Sequence, residues 1–244
     1  MENKQITYGI HATLEALKSE QEIDKIFIQK ELKSQPIKDI EHLAKKANIP
    51  VSYVPIQKLN RLTKENHQGV VANISPIKFI SIETLLETSF QNKENPVFIV
   101  LDELTDVRNV GAIIRTAECT GVSGIIIPKQ GGAAINAQTI KTSAGAIFNM
   151  PVCKVDHIKD ALFYLQSYQV ETLAATEKTE NTVYDIDLKK PLAIIMGSEG
   201  KGVSKTILSM ANHKAKLPML GEISSLNVSV ACGVFLYEIV RQRL

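Results

Sequence analysis

From Pro96 onward the chain alternates short, continuously apolar runs with helix-length stretches, and no other feature restricts the fold as strongly. The apolar runs are predicted to be strands over 97–101, 124–127, 152–155, 170–175, 192–196 and 214–217. The main helices between them are predicted over 109–120, 137–144 and 158–167. Strands without polar alternation are buried on both faces, as in a parallel sheet covered by helices on each side. The pattern therefore predicts an α/β fold built on a parallel sheet.

The first 75 residues carry a smaller α/β pattern of their own. Strands are predicted over 25–29, 51–54 and 70–74, and helices over 10–17 and 37–47. Residues 76–95 are polar and turn-rich apart from one short helical pattern at 82–86. We therefore expect a small domain over 1–75, a linker over 76–95 and a large domain over 96–244.

Two polar, glycine-bearing turns lie in the last quarter of the chain, over 197–202 and 221–227. The first follows a predicted strand, and the second precedes a helical pattern that runs to the C-terminus, with Ser224 or Ser225 placed to cap it. Polar loops at the ends of buried strands hold the ligands of many α/β proteins. We expect a cofactor pocket closed by these two turns.

The common nucleotide-binding motifs are absent. A Rossmann dehydrogenase would carry G-x-G-x-x-G directly after its first strand. Here the strand at 97–101 is followed by Asp102 to Gly111, a stretch with a single glycine. The P-loop pattern G-x-x-x-x-G-K-[ST] does not occur either. A dinucleotide-dependent oxidoreductase is therefore the least favoured class.

Composition excludes several other classes. The 28 basic and 26 acidic residues give a net charge of +2, so any nucleic-acid site must be a local patch. No apolar run reaches the ~18 residues of a membrane span, and the first residues lack the apolar core of a signal peptide. The cysteines, Cys119, Cys153 and Cys232, are far apart and fit no metal pattern. These features favour a cytoplasmic protein without a metal.

Arg115 is the most notable charged residue of the helix predicted over 109–120. Asn109 is placed to cap this helix and Gly121 to end it. Arg115 then projects from the side opposite the apolar stripe, next to the carboxyl end of a strand. The alternative is an ordinary surface arginine paired with Glu118 three residues on.

Other charged residues also allow two interpretations. Glu199, in the first glycine turn, is either a solvated loop carboxylate or part of a site. Lys58, Arg61 and Lys64 recur at every third residue, which would place them along one helical face. Such a face is either simply solvated or follows the phosphates of a nucleic acid.

Three motifs in order along the chain resemble those of the SpoU family of RNA ribose 2′-O-methyltransferases. They are Asn109-Val-Gly-Ala-Ile-Ile-Arg115, Met196-Gly-Ser-Glu-Gly-Lys-Gly-Val203, and Leu217-Pro-Met followed by Ser224-Ser-Leu-Asn-Val-Ser229. Tyr8-Gly-Ile-His-Ala12 and His67-Gln-Gly69 further resemble the N-terminal domain of the branch that methylates guanosine in 23S rRNA.

The resemblance implies a SPOUT-type parallel-sheet domain with a C-terminal trefoil knot, one of the rare exceptions to unknotted chains. It implies S-adenosyl-L-methionine as cofactor, a homodimer with its active site at the subunit interface, and an N-terminal α/β domain similar to kink-turn-binding ribosomal proteins. The expected cofactor contacts are Gly197, Gly200, Leu217, Met219 and Leu226. The expected RNA contacts are Lys58, Arg61, Lys64 and His67.

The implied reaction moves a methyl group from a sulfonium to a ribose 2′-hydroxyl. Because the leaving group departs neutral, no metal is required; the site must supply alignment and remove a proton. A guanidinium stays protonated in proteins, so we expect Arg115 to clamp a phosphate and stabilise the developing alkoxide. Asn109, Glu199, Ser225 and Asn227 would position the substrate and Arg115.

The expected substrate is a guanosine of large-subunit 23S rRNA. Two alternatives stay open from the sequence. One is ribose methylation of tRNA, and the other is a non-catalytic rRNA-binding assembly factor that uses the basic N-terminal face. Intact Asn109, Arg115, Glu199 and Asn227 argue against the non-catalytic protein.

Overall fold

The computed structural model describes residues 6–19 and 21–244, and the chain divides into two compact units. The N-terminal unit extends to Lys78 and includes Ile135–Ala137. The C-terminal unit comprises Phe79–Ala134 and Gln138–Leu244. No helix in the described part of the chain combines the length and apolar character that a membrane span requires.

The N-terminal unit is a four-stranded sheet with three helices. Its elements are β1 (Ile6–Tyr8), α1 (Ile10–Lys18), β2 (Ile23–Gln29), α2 (Gln35–Lys46), β3 (Val51–Val54), α3 (Ile56–Leu62) and β4 (Val70–Ile74). The strand order is β1-β4-β2-β3. Strand β4 pairs antiparallel with β1 and β2, whereas β2 and β3 are parallel.

The two faces of this sheet are covered unequally. One face packs against α1 and α2 through a large apolar cluster that includes Ile26, Ile28 and Ile40. The other face packs against α3 through a small cluster of Phe27, Val54, Leu59 and Val71. Because α3 has only seven residues, it covers part of its face.

The C-terminal unit contains a six-stranded sheet and six helices among the described residues. Its strands are β5 (Val97–Leu101), β6 (Gly124–Pro128), β7 (Val152–Val155), β8 (Glu171–Ala175), β9 (Leu192–Met196) and β10 (His213–Ala215). Its helices are α4 (Ile82–Asn92), α5 (Val107–Cys119), α6 (Ala137–Thr142), α7 (Ile158–Ser167), α8 (Lys205–Met210) and α9 (Val228–Arg243). Two short 3-10 helices cover Ala146–Phe148 and Val183–Asp185.

All neighbouring strands of the large sheet are parallel, in the order β10-β8-β9-β5-β6-β7. The predicted parallel α/β sheet is therefore confirmed, whereas the trefoil knot stays a prediction. Chain order reverses between β5 and β9, which are neighbours in the sheet. In open α/β sheets, the crevice beyond the carboxyl ends of such a pair is the usual ligand site.

The core of this unit also shows where its helices lie. Helices α4, α7 and α8 share one apolar cluster with the strands, which includes Leu86, Phe98, Leu162, Ile195 and Ile207. That cluster contains no residue of α5 or α9. These two helices pack against each other, and α9 also contacts β9. We infer that they cover the opposite face of the sheet and bring their N-termini to its carboxyl edge. The range predicted as a linker, 76–95, thus contains a core helix, and its limits stay a prediction.

Candidate active site

Helix α5 begins at Val107, two residues before the predicted range of 109–120, and its N-cap lies three residues before the predicted one. Its N-cap is Asp106, whose carboxylate accepts a hydrogen bond from the backbone N–H of Arg108 at 2.7 Å. The expected cap, Asn109, therefore lies inside the first turn, and its buried side chain points elsewhere. The predicted end is confirmed, because Gly121 has φ 70° and its N–H donates to the carbonyl of Glu118 at 3.1 Å.

The first glycine turn directly follows β9 and is closed on itself. Ser198 and Gly202 exchange two backbone hydrogen bonds of 3.2 and 2.9 Å. A Cβ atom on Gly197 would collide with the backbone of Gly202 and Val203, so no other residue fits there. The Ser198 hydroxyl is buried and has no partner among the described residues. The turn therefore places Glu199 at its tip and leaves one buried polar atom unsatisfied.

Three side chains meet between the turn and the two helix N-termini. Glu199 Oε1 accepts hydrogen bonds from Asn109 Nδ2 at 2.8 Å and from Asn227 Nδ2 at 3.0 Å. Asn227 Nδ2 also donates to Asn109 Oδ1 at 3.1 Å. We call this the Asn109–Glu199–Asn227 cluster. Glu199 Oε2 has no partner within the described ranges and is available to a substrate.

Helix α9 is capped by Asn227 and not by Ser224 or Ser225. Asn227 Oδ1 accepts hydrogen bonds from the N–H of Ser229 at 2.9 Å and from its hydroxyl at 2.6 Å. Because the cap occupies the oxygen, the amide nitrogen of Asn227 is directed toward Glu199. Ser225 lies in the exposed loop before the helix, outside the cluster.

The second turn belongs to an open loop, residues 217–226. Its backbone makes no backbone hydrogen bond with any described residue. The exposed apolar side chains of this loop are Met219 at 37%, Leu220 at 100%, Ile223 at 79% and Leu226 at 42%. An apolar surface of this kind usually marks a binding site. The hydrogen bond from Asn227 to Glu199 brings this loop to the same edge of the sheet as the first turn.

Arg115 is exposed on α5 and lies apart from the cluster. It is six residues beyond Asn109, which corresponds to roughly 240° around the helix at 100° per residue. It forms no hydrogen bond or ion pair with the described part of the chain, so the pairing with Glu118 is not seen there. A single chain thus brings together Asn109, Glu199 and Asn227 but leaves Arg115 outside.

The predicted RNA contacts fall on the α3 side of the N-terminal unit. Lys58 and Arg61 are exposed on α3, whereas Lys64 is exposed beyond the end of that helix. His67 is buried, and both of its ring nitrogens are engaged: Nε2 with Asn60 Oδ1 at 2.8 Å, and Nδ1 with the N–H of Gly69 at 3.0 Å. His67 therefore supports the turn before β4.

Asp102 is a site residue that the sequence did not single out. It follows β5, is only 5% exposed, and its Oδ2 accepts a hydrogen bond from the N–H of Ser204 at 2.7 Å. Its own N–H donates to the carbonyl of Met196 at 2.8 Å. Asp102 thereby fixes the end of the turn that carries Glu199. The sequence did contain a signal for Asp102, because it is an acidic residue directly after a predicted buried strand.

The buried cysteines are chemically inert. Burial raises the pKa of the Cys153 thiol to about 12, and it does the same for Cys232 on α9. Both therefore remain neutral thiols at physiological pH. No group of three His, Cys, Asp or Glu side chains suited to a metal ion occurs in the described part of the chain.

Comparison with known proteins identifies relatives for both units. Residues 96–237 match the SpoU rRNA Methylase family, and residues 6–80 match the RNA 2′-O ribose methyltransferase substrate binding family. A Bacillus subtilis protein named as a TrmH family tRNA/rRNA methyltransferase is 34% identical over 235 residues, 96% of this chain and 94% of the relative. A protein of the same description from Staphylococcus haemolyticus is 35% identical over 238 residues, 98% of this chain and 96% of the relative.

A solved structure also shares the whole fold. The AdoMet-bound rRNA methyltransferase from Sinorhizobium meliloti is 24% identical, with a TM-score of 0.63, and the match covers 98% of this chain and 87% of that one. At this identity the likeness establishes the fold, while the sequence relatives and the family matches establish descent. The chain therefore belongs to the SpoU family of RNA ribose 2′-O-methyltransferases.

Proposed function

We propose that this protein transfers a methyl group from S-adenosylmethionine to the ribose 2′-hydroxyl of a guanosine in large-subunit 23S rRNA. The main supporting observation is the Asn109–Glu199–Asn227 cluster at the carboxyl edge of β5 and β9. It gathers residues that are 90 and 118 positions apart in sequence around one carboxylate with a free oxygen. The carboxyl ends of the strands at such a reversal of sheet order are the usual ligand site of open α/β sheets.

The two loops next to this cluster suit the cofactor. An adenosyl group needs an apolar slot and backbone donors and acceptors, and loop 217–226 offers both in its exposed side chains and unpaired backbone. The glycine turn adds close backbone approach and the unsatisfied Ser198 hydroxyl. The residues that would hold the cofactor are Gly197, Gly200, Leu217, Met219 and Leu226. When bound, the cofactor supplies a methyl on a sulfonium, whose S–C bond breaks as the O–C bond forms.

The chain's own residues then orient the substrate. Glu199 Oε2 would accept a hydrogen bond from the attacking 2′-hydroxyl and take up its proton as the O–C bond forms, while the amides of Asn109 and Asn227 hold the carboxylate in place. The Arg115 guanidinium clamps the adjacent phosphate and stabilises charge that develops on the ribose oxygen. Ser225, in the open loop that precedes Asn227, would contribute a hydroxyl to the substrate ribose.

A homodimer would complete the site. A groove of about 430 Å³ runs along α9 and is lined by Tyr184, Val230, Gly233, Val234, Tyr237 and Glu238. Val230 and Tyr237 are exposed although they are apolar or aromatic. A second copy would cover this face and bring its Arg115 toward the cluster of the first chain. This arrangement would explain why Arg115 lies apart from the cluster within one chain.

Ribosomal RNA is favoured over tRNA as substrate by the extent of the structural matches. The Sinorhizobium meliloti rRNA methyltransferase matches 98% of this chain, whereas the A. aeolicus TrmH/SpoU tRNA modifying enzyme, 30% identical with a TM-score of 0.56, matches 66%. We place RNA docking on 1–75 and the knotted catalytic domain at 96–244, joined by a linker at 76–95 that includes the core helix α4. A cytoplasmic location follows from an rRNA substrate.

The experiment is a methyl-transfer assay with tritiated S-adenosylmethionine on rRNA and tRNA from cells that lack the protein. The expected result is alkali-resistant label in one dinucleotide of 23S rRNA, lost in Arg115→Ala. Arg108→Ala is the matched control, because Arg108 is an exposed arginine of the same helix. Label found only in tRNA would show that tRNA, and not rRNA, is the substrate. If the protein neither transfers a methyl group nor binds S-adenosylmethionine, the alternative of a non-catalytic RNA-binding protein would be favoured.

A further inference from the structure

One face of the N-terminal sheet has an open strip beside α3. Asn73 on β4 pairs with Ile6 of β1 on one side and with Lys25 of β2 on the other. Although strands flank it on both sides, Asn73 is half-exposed. Alternation along β4 puts Asn73 on the same face as Val71, which α3 covers. Among the described residues, the row of Ile6, Asn73 and Lys25 is therefore only partly covered.

Tyr8 extends this strip along β1. Because Tyr8 is two residues from Ile6, both side chains lie on the same face of the sheet. Tyr8 packs beside the small cluster beneath α3 and is only half-buried. The Tyr8 hydroxyl and the Asn73 amide form no hydrogen bond with any described residue. An aromatic ring and an unpaired amide on an open sheet are the groups that contact unstacked RNA bases.

Two lysines border the strip without an acidic partner. Lys25 Nζ and Lys58 Nζ lie 5.5 and 5.3 Å from the centre of the Phe27 ring. Neither forms an ion pair within residues 6–19 and 21–244, and Arg61 follows Lys58 at the next turn of α3. Two ammonium groups held near one ring repel each other, and a polyanion would relieve that repulsion.

We propose that this strip, formed by Ile6, Tyr8, Lys25, Asn73 and Lys58, binds a single-stranded segment of the substrate RNA. The Tyr8 ring stacks on one base, the Asn73 amide donates to and accepts from a base edge, and Lys25 and Lys58 neutralise the neighbouring phosphates. The inference rests on the proposed function for the identity of the RNA. It goes beyond that function by locating a base-contacting surface on the sheet.

The test measures binding of the full-length protein to large-subunit rRNA from cells that lack it. We expect Tyr8→Leu to raise the RNA Kd about tenfold and Tyr8→Phe to keep it, because Phe retains the stacking ring. Lys25→Ala with Lys58→Ala should reduce the slope of log K against log salt by about 1.4, as for two lost single-strand phosphate contacts. The Kd for S-adenosylmethionine should not change, and cooperative thermal unfolding should show that each variant remains folded.

The matched control is Lys45→Ala with Lys46→Ala, which removes the same charge from exposed positions at the end of α2. The proposal is overturned if the control weakens RNA binding as much as Lys25→Ala with Lys58→Ala does. It is also overturned if Tyr8→Leu binds RNA like wild type, which is the result expected if the strip instead binds a protein partner. These outcomes concern binding alone. Failure of methyl transfer by the wild-type protein would instead overturn the proposed function.

Discussion

At the residue scale, the site depends on how one carboxylate is held. Glu199 Oε1 accepts hydrogen bonds from two amide nitrogens, and each amide is held in place: Asn227 by its role as helix cap, and Asn109 by its buried position in the first turn of α5. Hydrogen bonds to an ionised acceptor are stronger than neutral ones. The carboxylate is therefore oriented before any substrate arrives, and its second oxygen has no partner among the described residues.

Replacing Glu199 with Gln tests this orientation. The amide oxygen of Gln still accepts from Asn109 and Asn227, but an N–H replaces the free carboxylate oxygen. We expect turnover at saturating RNA to fall at least ~100-fold, a typical contribution of a positioned proton acceptor, with an unchanged unfolding temperature. Steady-state methyl-transfer assays measure this turnover. A turnover of Glu199→Gln within threefold of wild type would show that Glu199 Oε2 takes no part in the reaction.

The sequence yielded the members of this cluster but not their contacts. Asn109, Glu199 and Asn227 stand out by residue type and motif, yet they are too far apart in sequence for any local pattern to join them. Cap positions were misassigned for a related reason. Several polar residues precede each helix, and only the three-dimensional turn decides that Asp106 and Asn227 accept the first N–H groups.

At the element scale, the glycine turn after β9 is fastened on both sides. Asp102, at the end of β5, holds the N–H of Ser204, and the cluster holds Glu199 at the tip. Strands β5 and β9 are neighbours, so the turn spans the point where the sheet order reverses. Its shape is thus set by the two central strands.

Asp102→Ala should loosen this turn, and Asp102→Asn should largely preserve it, because Asn keeps an acceptor oxygen. For Asp102→Ala we expect a several-fold rise in KM for S-adenosylmethionine and a loss of on the order of 2 kcal/mol in the free energy of unfolding. Kinetics and urea unfolding measure the two effects. If Asn raised KM as much as Ala does, the hydrogen bond to Ser204 would not be what positions the turn.

Helix α9 contains a pH-sensitive ion pair. The buried Glu238 carboxylate accepts from Arg241 Nη2 at 2.7 Å and Nε at 2.8 Å, and these hydrogen bonds lower the pKa of Glu238 although burial opposes the shift. A carboxyl group with a depressed pKa in the folded state stabilises the fold above its unfolded pKa of about 4.3. That contribution is lost as pH falls through the folded value.

We therefore expect the stability difference between wild type and Glu238→Gln to be constant from pH 7 to about 5 and to shrink below the unfolded pKa of about 4.3. Urea unfolding across pH 3 to 7 would be the measurement. Glu118→Gln serves as control, because the exposed Glu118 carboxylate has no partner within the described residues. A stability difference between wild type and Glu238→Gln that does not change with pH would contradict the lowered pKa of Glu238.

Strong elements were predictable from the sequence and short ones were not. Strands β3, β4, β5, β7 and β9 lie at the predicted residues because each is a distinct apolar run. The three-residue β1 and the six-residue α8 are too short to show an apolar periodicity, and the seven-residue α3 was indicated only by the spacing of its basic residues. Tertiary packing defines them, as in the cluster of Phe27, Val54, Leu59 and Val71 under α3.

At the scale of the whole molecule, the parallel sheet was predictable but its strand order was not, because pairing between β5 and β9 joins residues almost a hundred positions apart. The proposed dimer belongs to the same scale. The α9 groove exposes Val230 and Tyr237, and the chain leaves Arg115 away from the cluster. Both observations are explained if two chains share each active site.

Tyr237→Arg tests this arrangement by placing a charge in the groove. We expect a folded monomer in sedimentation experiments and at least a ~100-fold loss of methyl transfer, because burying an unpaired charge in an interface is strongly unfavourable. Phe163→Arg is the matched control, since Phe163 is an equally exposed aromatic residue on α7. A monomeric Tyr237→Arg protein with wild-type activity would show that one chain holds a complete site.

The most direct measurement is mass-spectrometric quantification of ribose-methylated nucleosides in 23S rRNA. Cells lacking this protein would be complemented with the wild type or with Arg115→Ala, and the rRNA digested to nucleosides. We expect wild type to restore a 2′-O-methylguanosine that is missing in the deletion strain and in the Arg115→Ala strain. Identical ribose methylation of 23S rRNA in all three strains would contradict the proposed reaction.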